Sequence, residues 1–229
     1  MPPTGHFLFI FENHYTPKIN FMKAKKLFLI WACLLTASLS AQLKTDTIVN
    51  TGVYKSYFCY AIKEPLYVTY TLYKGGGSCD REQESFHFKK CGIKTASDKD
   101  YSGSGYDKGH LVNAEDFAYD CTMEETTFCY YNCLPQTIAL NRGIWKTWEE
   151  KIRDSSQKRR LFIIAGGIYS DKTIGSNNIG VPDFCYKVVL DAKTSEVLWC
   201  LLFPNDESKR ATAITLEALK RKLGYDLVP

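Results

Sequence analysis

Two stretches, read together, decide the fold: Tyr106–Phe117, YDKGHLVNAEDF, and, fifteen residues on, Asn132–Glu150, NCLPQTIALNRGIWKTWEE. The first holds His110, one of only four histidines in the chain, with Gly105 and Gly109 on its N-terminal side. A lone histidine beside a strand is more often a structural residue than a catalyst. Here three features favour chemistry. The glycines permit a tight, exposed backbone. An imidazole titrates near neutral pH and suits a general base acting on water. The second stretch supplies Asn132, Gln136, Asn141 and Glu149, neutral and acidic oxygens of the kind a hard divalent ion accepts.

Helix geometry sharpens the metal reading. Ile144, Trp145, Trp148 and Ile152 recur at helical spacing and predict a helix from about Ala139 to Asp154. On one continuous α-helix Asn141 and Glu149 stand about 80° apart around the axis and roughly 12 Å apart along it, so both cannot easily touch one small ion. If Asn141 is the direct ligand, Glu149 acts through coordinated water. One neutral protein ligand plus several waters suits Mg²⁺, which sheds water reluctantly. Asn141 as the N-cap of this helix is an equally good reading at this point.

Working outward, residues 58–73 predict two strands around Lys63-Glu64-Pro65, the second with Leu66, Val68, Tyr70 and Leu72 alternating with Tyr67, Thr69, Thr71 and Tyr73. KGGGSCD, from Lys74, breaks regular structure, and residues 79–105 are polar and turn-rich. TTFCYYNCLP, from Thr126, resumes a short strand before Pro135. LFIIAGGIY, from Leu161, is a buried strand. FCYKVVL and EVLWCLLF form a hairpin across Asp191–Thr194 that would bring Cys185 near Cys200. Residues 207–223 predict a closing amphipathic helix with Leu216, Leu219 and Leu223 on one stripe and Gly224 as its stop. One α+β domain over 42–229, with a central, mostly antiparallel sheet flanked by helices, is the economical architecture.

The N-terminus argues for export. MKAKKLFLIWACLLTASLSAQ, from Met22, has lysines, a short apolar run and small residues ending near Ala41, the pattern of a secretory signal peptide. The run of roughly 11 residues is too short to span a bilayer, so stable membrane insertion is not expected. A lipoprotein cleaved before Cys33 and a signal anchor are lesser alternatives, and residues 1–21 read as an over-extended start. Setting 1–41 aside leaves 25 basic and 24 acidic residues. Such a chain is not held to nucleic acid by a strong overall field, so phosphate contacts must come from local clusters, with Lys151 to Arg153 and Lys158 to Arg160 the better candidates and Lys220 to Lys222 a solvated helix face. Eight cysteines then remain, an even number that predicts disulfides in an exported chain, with Cys185–Cys200 one candidate pair. Zinc at Cys129 and Cys133 is the rival, weakened by the shortage of histidines.

The residues from DYSGSGYDKGHLVNAEDF through TFCYYNCLPQTIALNRGIWKTWEE resemble the DNA/RNA non-specific endonucleases, the ββα-metal nuclease family. Its pattern is Asp-Arg-Gly-His, then Asn-x-x-Pro-Gln, then Asn followed by Trp and Glu on one helix. The likeness extends, more weakly, to CDREQESFHF and VPDFCYKVVL. It implies His110 as general base, Asn141 as the protein ligand of Mg²⁺ (or Mn²⁺), Glu149 as the residue orienting metal-bound water, and Asn132 as support for the histidine and substrate region. It further implies Arg81 as stabiliser of the pentacovalent phosphate. Lys108 stands where the family has arginine, and loses the planar fork. Asp107 reads as a fold-supporting carboxylate. The implied activity is hydrolysis of DNA and RNA, leaving 5′-phosphorylated fragments with little sequence preference. A catalytically dead binding module and a hydrolase of small phosphodiesters on the same fold are the competing readings.

Overall fold

The computed structural model describes residues 43–81, 83–84, 86–223, 225 and 227. The proposed signal segment, Cys33 and the Gly224 helix stop lie outside the described residues. Among the described residues nine strands run β1 Thr47–Asn50, β2 Tyr54–Cys59, β3 Glu64–Leu72, β4 Tyr106–His110, β5 Cys133–Thr137, β6 Leu161–Ile174, β7 Ile179–Asp191, β8 Val197–Pro204 and β9 Thr212–Ala213. The α-helices there are α1 Asp98–Tyr101, α2 Cys121–Thr126, α3 Lys146–Ser156 and α4 Leu216–Leu223. Seven strands form one sheet in the order β1-β2-β3-β6-β7-β8-β9, each neighbour antiparallel, and β4 pairs with β5 in a separate ribbon. This is the expected α+β architecture.

Both faces of the large sheet are covered. Val68, Tyr70, Leu72, Ile163 and Phe203 pack toward Leu111, Leu134, Leu140, Trp145 and Ile152 of the β4–β5–α3 layer. Tyr67, Ile164, Tyr186, Val188 and Leu202 pack on the opposite face toward Leu219 and Leu223 of α4. From Tyr67 on, the alternation read in β3 therefore sorts two cores and not an inside from an outside, while Leu66 joins Tyr67 in the second; only Thr71 of that strand is exposed. Burial of such side chains contributes about 25 cal/mol per Å² of apolar surface, which is why the central strands carry near-continuous apolar runs.

Three elements differ from the sequence reading. The segment from Thr126 is not one strand: α2 ends there, a 3₁₀ turn covers Tyr130–Asn132, and only then does β5 begin, with Pro135 inside it. The ribbon has two strands and proline's missing N–H falls on its open edge. The helix expected from Ala139 is broken. Leu140–Trp145 forms a wide π-type turn kinked at Gly143 (φ −109°, ψ −113°), and the regular helix starts at Lys146. The closing helix starts at Leu216 and not at Glu207, because Asp206 caps a turn at Ser208 and Thr212–Ala213 adds an edge strand first. The Thr215 hydroxyl accepts from the Ala218 N–H and caps the true start.

The cysteines also divide. Cys79–Cys121 and Cys91–Cys129 are disulfides, whereas Cys59, Cys133, Cys185 and Cys200 are buried free thiols. The Cys185–Cys200 pairing is overturned by register: Cys185 lies opposite Phe203, Cys200 opposite Val188, and the two side chains enter different cores. Cys129, being oxidised, is no zinc ligand. Among the described residues no helix is long and apolar enough to cross a membrane.

Candidate active site

The ribbon, the wide turn and α3 follow one another in the chain and wall a cleft of about 660 Å³. His110, Asn141, Glu149 and Arg81 all line it. Asn132 does not. Its side chain is fully buried and spent on backbone: Oδ1 accepts from the Val112 N–H (2.9 Å), and Nδ2 donates to the carbonyls of Val112 (3.0 Å) and Thr127 (2.9 Å). It fixes the chain just after His110 and offers nothing to a substrate, so its expected support of the histidine is exerted through the backbone alone.

His110 closes β4 opposite Cys133. The preceding glycine makes room there: a Cβ on Gly109 would sit 2.0 Å from Oε1 of buried Gln136 and would force that side chain to move. The imidazole is gripped between Phe88 (ring centroids 4.5 Å) and Phe128 (4.8 Å, edge-on). Its Nε2 is closed from solvent and has no hydrogen-bond partner. Burial, then the positive charges of Arg81 and Lys187, push its pKa down to about 3. The ring is therefore neutral across the physiological range.

Asn141 sits in the wide turn, an element class often found at functional sites. It is not a helix N-cap. Its Nδ2 donates to Asp107 Oδ2 (3.0 Å), and the same carboxylate takes a forked contact from Arg142, Nε to Oδ2 and Nη2 to Oδ1 at 2.8 Å each. That bidentate guanidinium holds Asp107 below the usual carboxylate range, so it stays ionised as an acceptor. With the amide nitrogen committed, the Asn141 side-chain oxygen is the atom that could face a ligand. Asp107 thus supports the turn as expected, and specifically orients Asn141.

Glu149, on the first turn of α3, is almost wholly buried, and burial pushes its pKa up to about 7 against the pull of Lys187. Lys187 comes from the middle of β7, is 1% exposed, and lies 3.6 Å from Glu149 Oε1 and 3.9 Å from the Trp145 ring centroid. The 3.6 Å contact is an ion pair too long for a hydrogen bond, and Oε1 has no hydrogen-bond partner. Behind it, Arg153 pairs with buried Asp116 (2.9 Å) and donates to Asn113 Oδ1 (2.9 Å), and Tyr70 donates to Asp116 (3.1 Å). The sequence reading missed Lys187. The signal was present as one lysine in the apolar run FCYKVVL, which a buried strand tolerates only with a partner.

Arg81 is exposed, with Nη2 2.9 Å from Glu115 and Nε 3.1 Å from fully buried Glu124. Its loop is stapled to α2 by Cys79–Cys121, and Gly77 lies so close to Ala118 that a Cβ would overlap it at 2.1 Å. Lys108 lines the cleft and pairs with Asp98, a single contact in place of a fork. Arg142, Lys146 and Arg153 add positive charge, against Glu115, Glu149 and Glu150, so the wall favours an anionic ligand. Among the described residues no group of three or more His, Cys, Asp or Glu side chains could hold a metal ion. A cation here would depend on Asn141 and water. The donor set fits a hard, water-rich ion: a neutral oxygen aimed by Asp107, in a cleft also lined by His110 and Glu149, whose Nε2 and Oε1 are unpartnered.

A family model for DNA/RNA non-specific endonuclease matches residues 37–228. Mitochondrial endonuclease G of Homo sapiens is 27% identical over 172 residues, 66% of this chain and 57% of that protein. A protein named nuclease from Nostoc sp. (strain PCC 7120) is 32% identical over 143 residues, 56% of this chain and 52% of that one. The chain thus spans little more than half the length of these relatives. The solved EndoG/EndoGI complex, 22% identical, superposes with a TM-score of 0.70 over 77% of this chain and 83% of that one, which establishes the ββα-metal fold. Because the family match runs unbroken through the ribbon, the wide turn and the helix that build the cleft, the chain belongs to the DNA/RNA non-specific endonuclease family.

Proposed function

We propose that the protein is an exported, divalent-metal-dependent endonuclease that hydrolyses DNA and RNA with little sequence preference and leaves 5′-phosphate ends. The observation that carries this reading is the meeting, in one basic cleft, of a neutral histidine with an unpartnered nitrogen and an asparagine whose amide is aimed by a carboxylate. His110 takes the proton of the attacking water. The negative charge of an arriving phosphodiester offsets Arg81 and raises the basicity of the ring toward the working pH. Arg81 and its neighbours position the phosphate, and Glu149 holds water beside Asn141. Asn141 would hold Mg²⁺, with Mn²⁺ as substitute, and such an ion supplies charge neutralisation at the phosphoryl oxygens. Contacts to the phosphate backbone account for weak sequence preference.

Two disulfides in the described residues support an oxidising destination, secreted or periplasmic. Digestion of plasmid DNA, single-stranded DNA and RNA with Mg²⁺, with and without chelator, tests the function. Cleavage of all three that stops on chelation is expected. Activity indifferent to chelator, or confined to dinucleotides, overturns it.

A further inference from the structure

Tyr73, Lys74 and Arg160 lie outside the cleft wall and are all exposed. Lys74 Nζ is 5.4 Å from the Tyr73 ring centroid and the Arg160 guanidinium carbon is 5.1 Å from it, so the two cations are at most about 10–11 Å apart. Neither pairs with a carboxylate among the described residues, whereas neighbouring Arg159 does, with Asp191 at 3.7 Å. The backbone beneath them is fixed. The Lys74 N–H donates to the Ser156 carbonyl (3.0 Å), the Gly75 N–H to Ser156 Oγ (3.1 Å), Gln157 Nε2 to the Gly75 carbonyl (2.8 Å), and the Ala192 N–H to the Arg160 carbonyl (2.9 Å). Lys74 itself holds φ +52°, a region that side-chain-bearing residues rarely occupy.

Two like charges gathered on one ring, on a rigid base and without a counter-charge, leave a surplus that an anion satisfies. The place matters as much as the charge. Gly75, next in the chain to Lys74, and Gly76 pack along the aliphatic part of Arg153, at 3.4 and 3.6 Å from their ideal Cβ positions, and Arg153 lines the cleft. Successive phosphates of one strand, spaced every ~3.4 Å of helix axis in a duplex, can reach from the cleft across this wall to the two cations.

We propose that Tyr73, Lys74 and Arg160 form a distal subsite that grips backbone phosphates of the substrate strand a few nucleotides from the bond being cut. It rests on the nuclease reading for its ligand, and it predicts that substrate length is read here. The test compares the wild-type chain with Lys74→Ser/Arg160→Ser, both checked for unchanged melting, by anisotropy of labelled single-stranded DNA of about 20 and about 4 nucleotides in chelator. Affinity for the longer strand should fall about five- to tenfold, the sum of two exposed ionic contacts. Its log K against log salt slope should fall by about 1.4, the value for two phosphates on a single strand. The short strand should bind as before, and with Mg²⁺ the variant should raise KM on the long strand at unchanged kcat. Tyr73→Leu, which keeps both charges but removes the ring that gathers them, should show a smaller loss on the long strand only. Unchanged affinity and salt slope on the long strand, or equal loss on both lengths, overturns the subsite. A wild-type protein that shows the length-dependent effect in chelator but cuts nothing with Mg²⁺ refutes the nuclease reading and leaves the subsite standing.

Discussion

Replacing Lys187 with methionine removes one charge from beneath the cleft and leaves the shape nearly intact. The ammonium lies 3.6 Å from Glu149 Oε1, with Lys187 1% exposed. At an effective dielectric of about 20 that pair is worth about 4–5 kcal/mol, or roughly three pKa units on Glu149 as an upper bound. Glu149 is already raised to about 7 by burial while Lys187 still opposes the rise. The sign follows. A carboxyl whose folded pKa lies above its unfolded value of about 4.5 contributes stability that is full below that value and lost as pH climbs through the folded pKa. In the wild type the ionised Glu149 needed to hold water appears as pH passes about 7, so kcat/KM should rise across that range. In Lys187→Met the rise should move up by about one to three units, with activity at pH 7 down roughly 5- to 500-fold and partly restored at alkaline pH. Breaking a buried pair costs up to about 3–5 kcal/mol, less where Glu149 takes up a proton. Lys187→Met/Glu149→Gln should therefore regain melting temperature without regaining activity. A Lys187→Met profile that keeps the wild-type midpoint, with activity lost only in step with unfolding, would refute this reasoning.

His110→Ala should lose roughly 10²–10⁴ in rate with Mg²⁺ and DNA binding nearly intact, because the ring enters only at proton transfer; a folded variant with near wild-type cleavage removes His110 from the mechanism. Asn141→Ala should raise the Mg²⁺ concentration for half-activity and weaken metal binding by calorimetry, while Asn141→Asp keeps some metal affinity and shifts the pH optimum upward as its added charge raises the His110 pKa. Thiol labelling of the unreduced mature chain should find four free thiols after denaturation and almost none before it, since Cys59, Cys133, Cys185 and Cys200 are buried; eight disulfide-bonded cysteines would contradict the register. Glu64 is fully buried, and burial raises its pKa well above the ordinary value, so the folded state keeps its proton and stability should fall as pH rises above about 4.5. Glu64→Gln should flatten that fall, by at most about 1.4 kcal/mol per pH unit, and chemical denaturation at pH 5 and 8 reads it.

What was legible in the sequence was local: the hairpin at Asp191, the apolar strand from Leu161 and the stripe of α4 all follow from patterns a few residues long. Asn141 shows where that fails. Its neighbours Ile144, Trp145 and Trp148 keep helical spacing, but the wide turn over Leu140–Trp145 adds backbone that no side-chain period records. Asn141 therefore stands on the turn and Glu149 on the regular helix that follows it, and both line one cleft. Lys187 and the Cys185–Cys200 pairing failed for a related reason. A hairpin predicts that two strands lie side by side, but one residue of register sends a side chain to the other face, and the turn sequence alone does not fix that register. Asn132 carried its motif, but the sequence shows an amide and not which backbone groups consume it, so the route of its support, through Val112 and Thr127, was not legible.

The distribution of the cysteines then acquires a meaning that their even count did not have. Three thiols stay reduced in the two cores of the large sheet and the fourth, Cys133, in the cluster behind the β4–β5 ribbon, whereas both disulfides tie down the irregular stretch between β3 and β4, at Cys79 and Cys91. That stretch has no sheet ladder to hold it: Lys89 makes one isolated bridge to Cys129, and Gly77 presses on Ala118. Yet it delivers Arg81 to the cleft and Phe88 to the face of His110. Each crosslink spans about 40 residues (42 and 38) and restricts the unfolded chain by about 4 kcal/mol in the loop-entropy account. Reduction should therefore loosen Arg81 and the Phe88 side of the histidine pocket before it melts the sheet. Activity would be lost at a reductant concentration where the α4 side of the core is still folded.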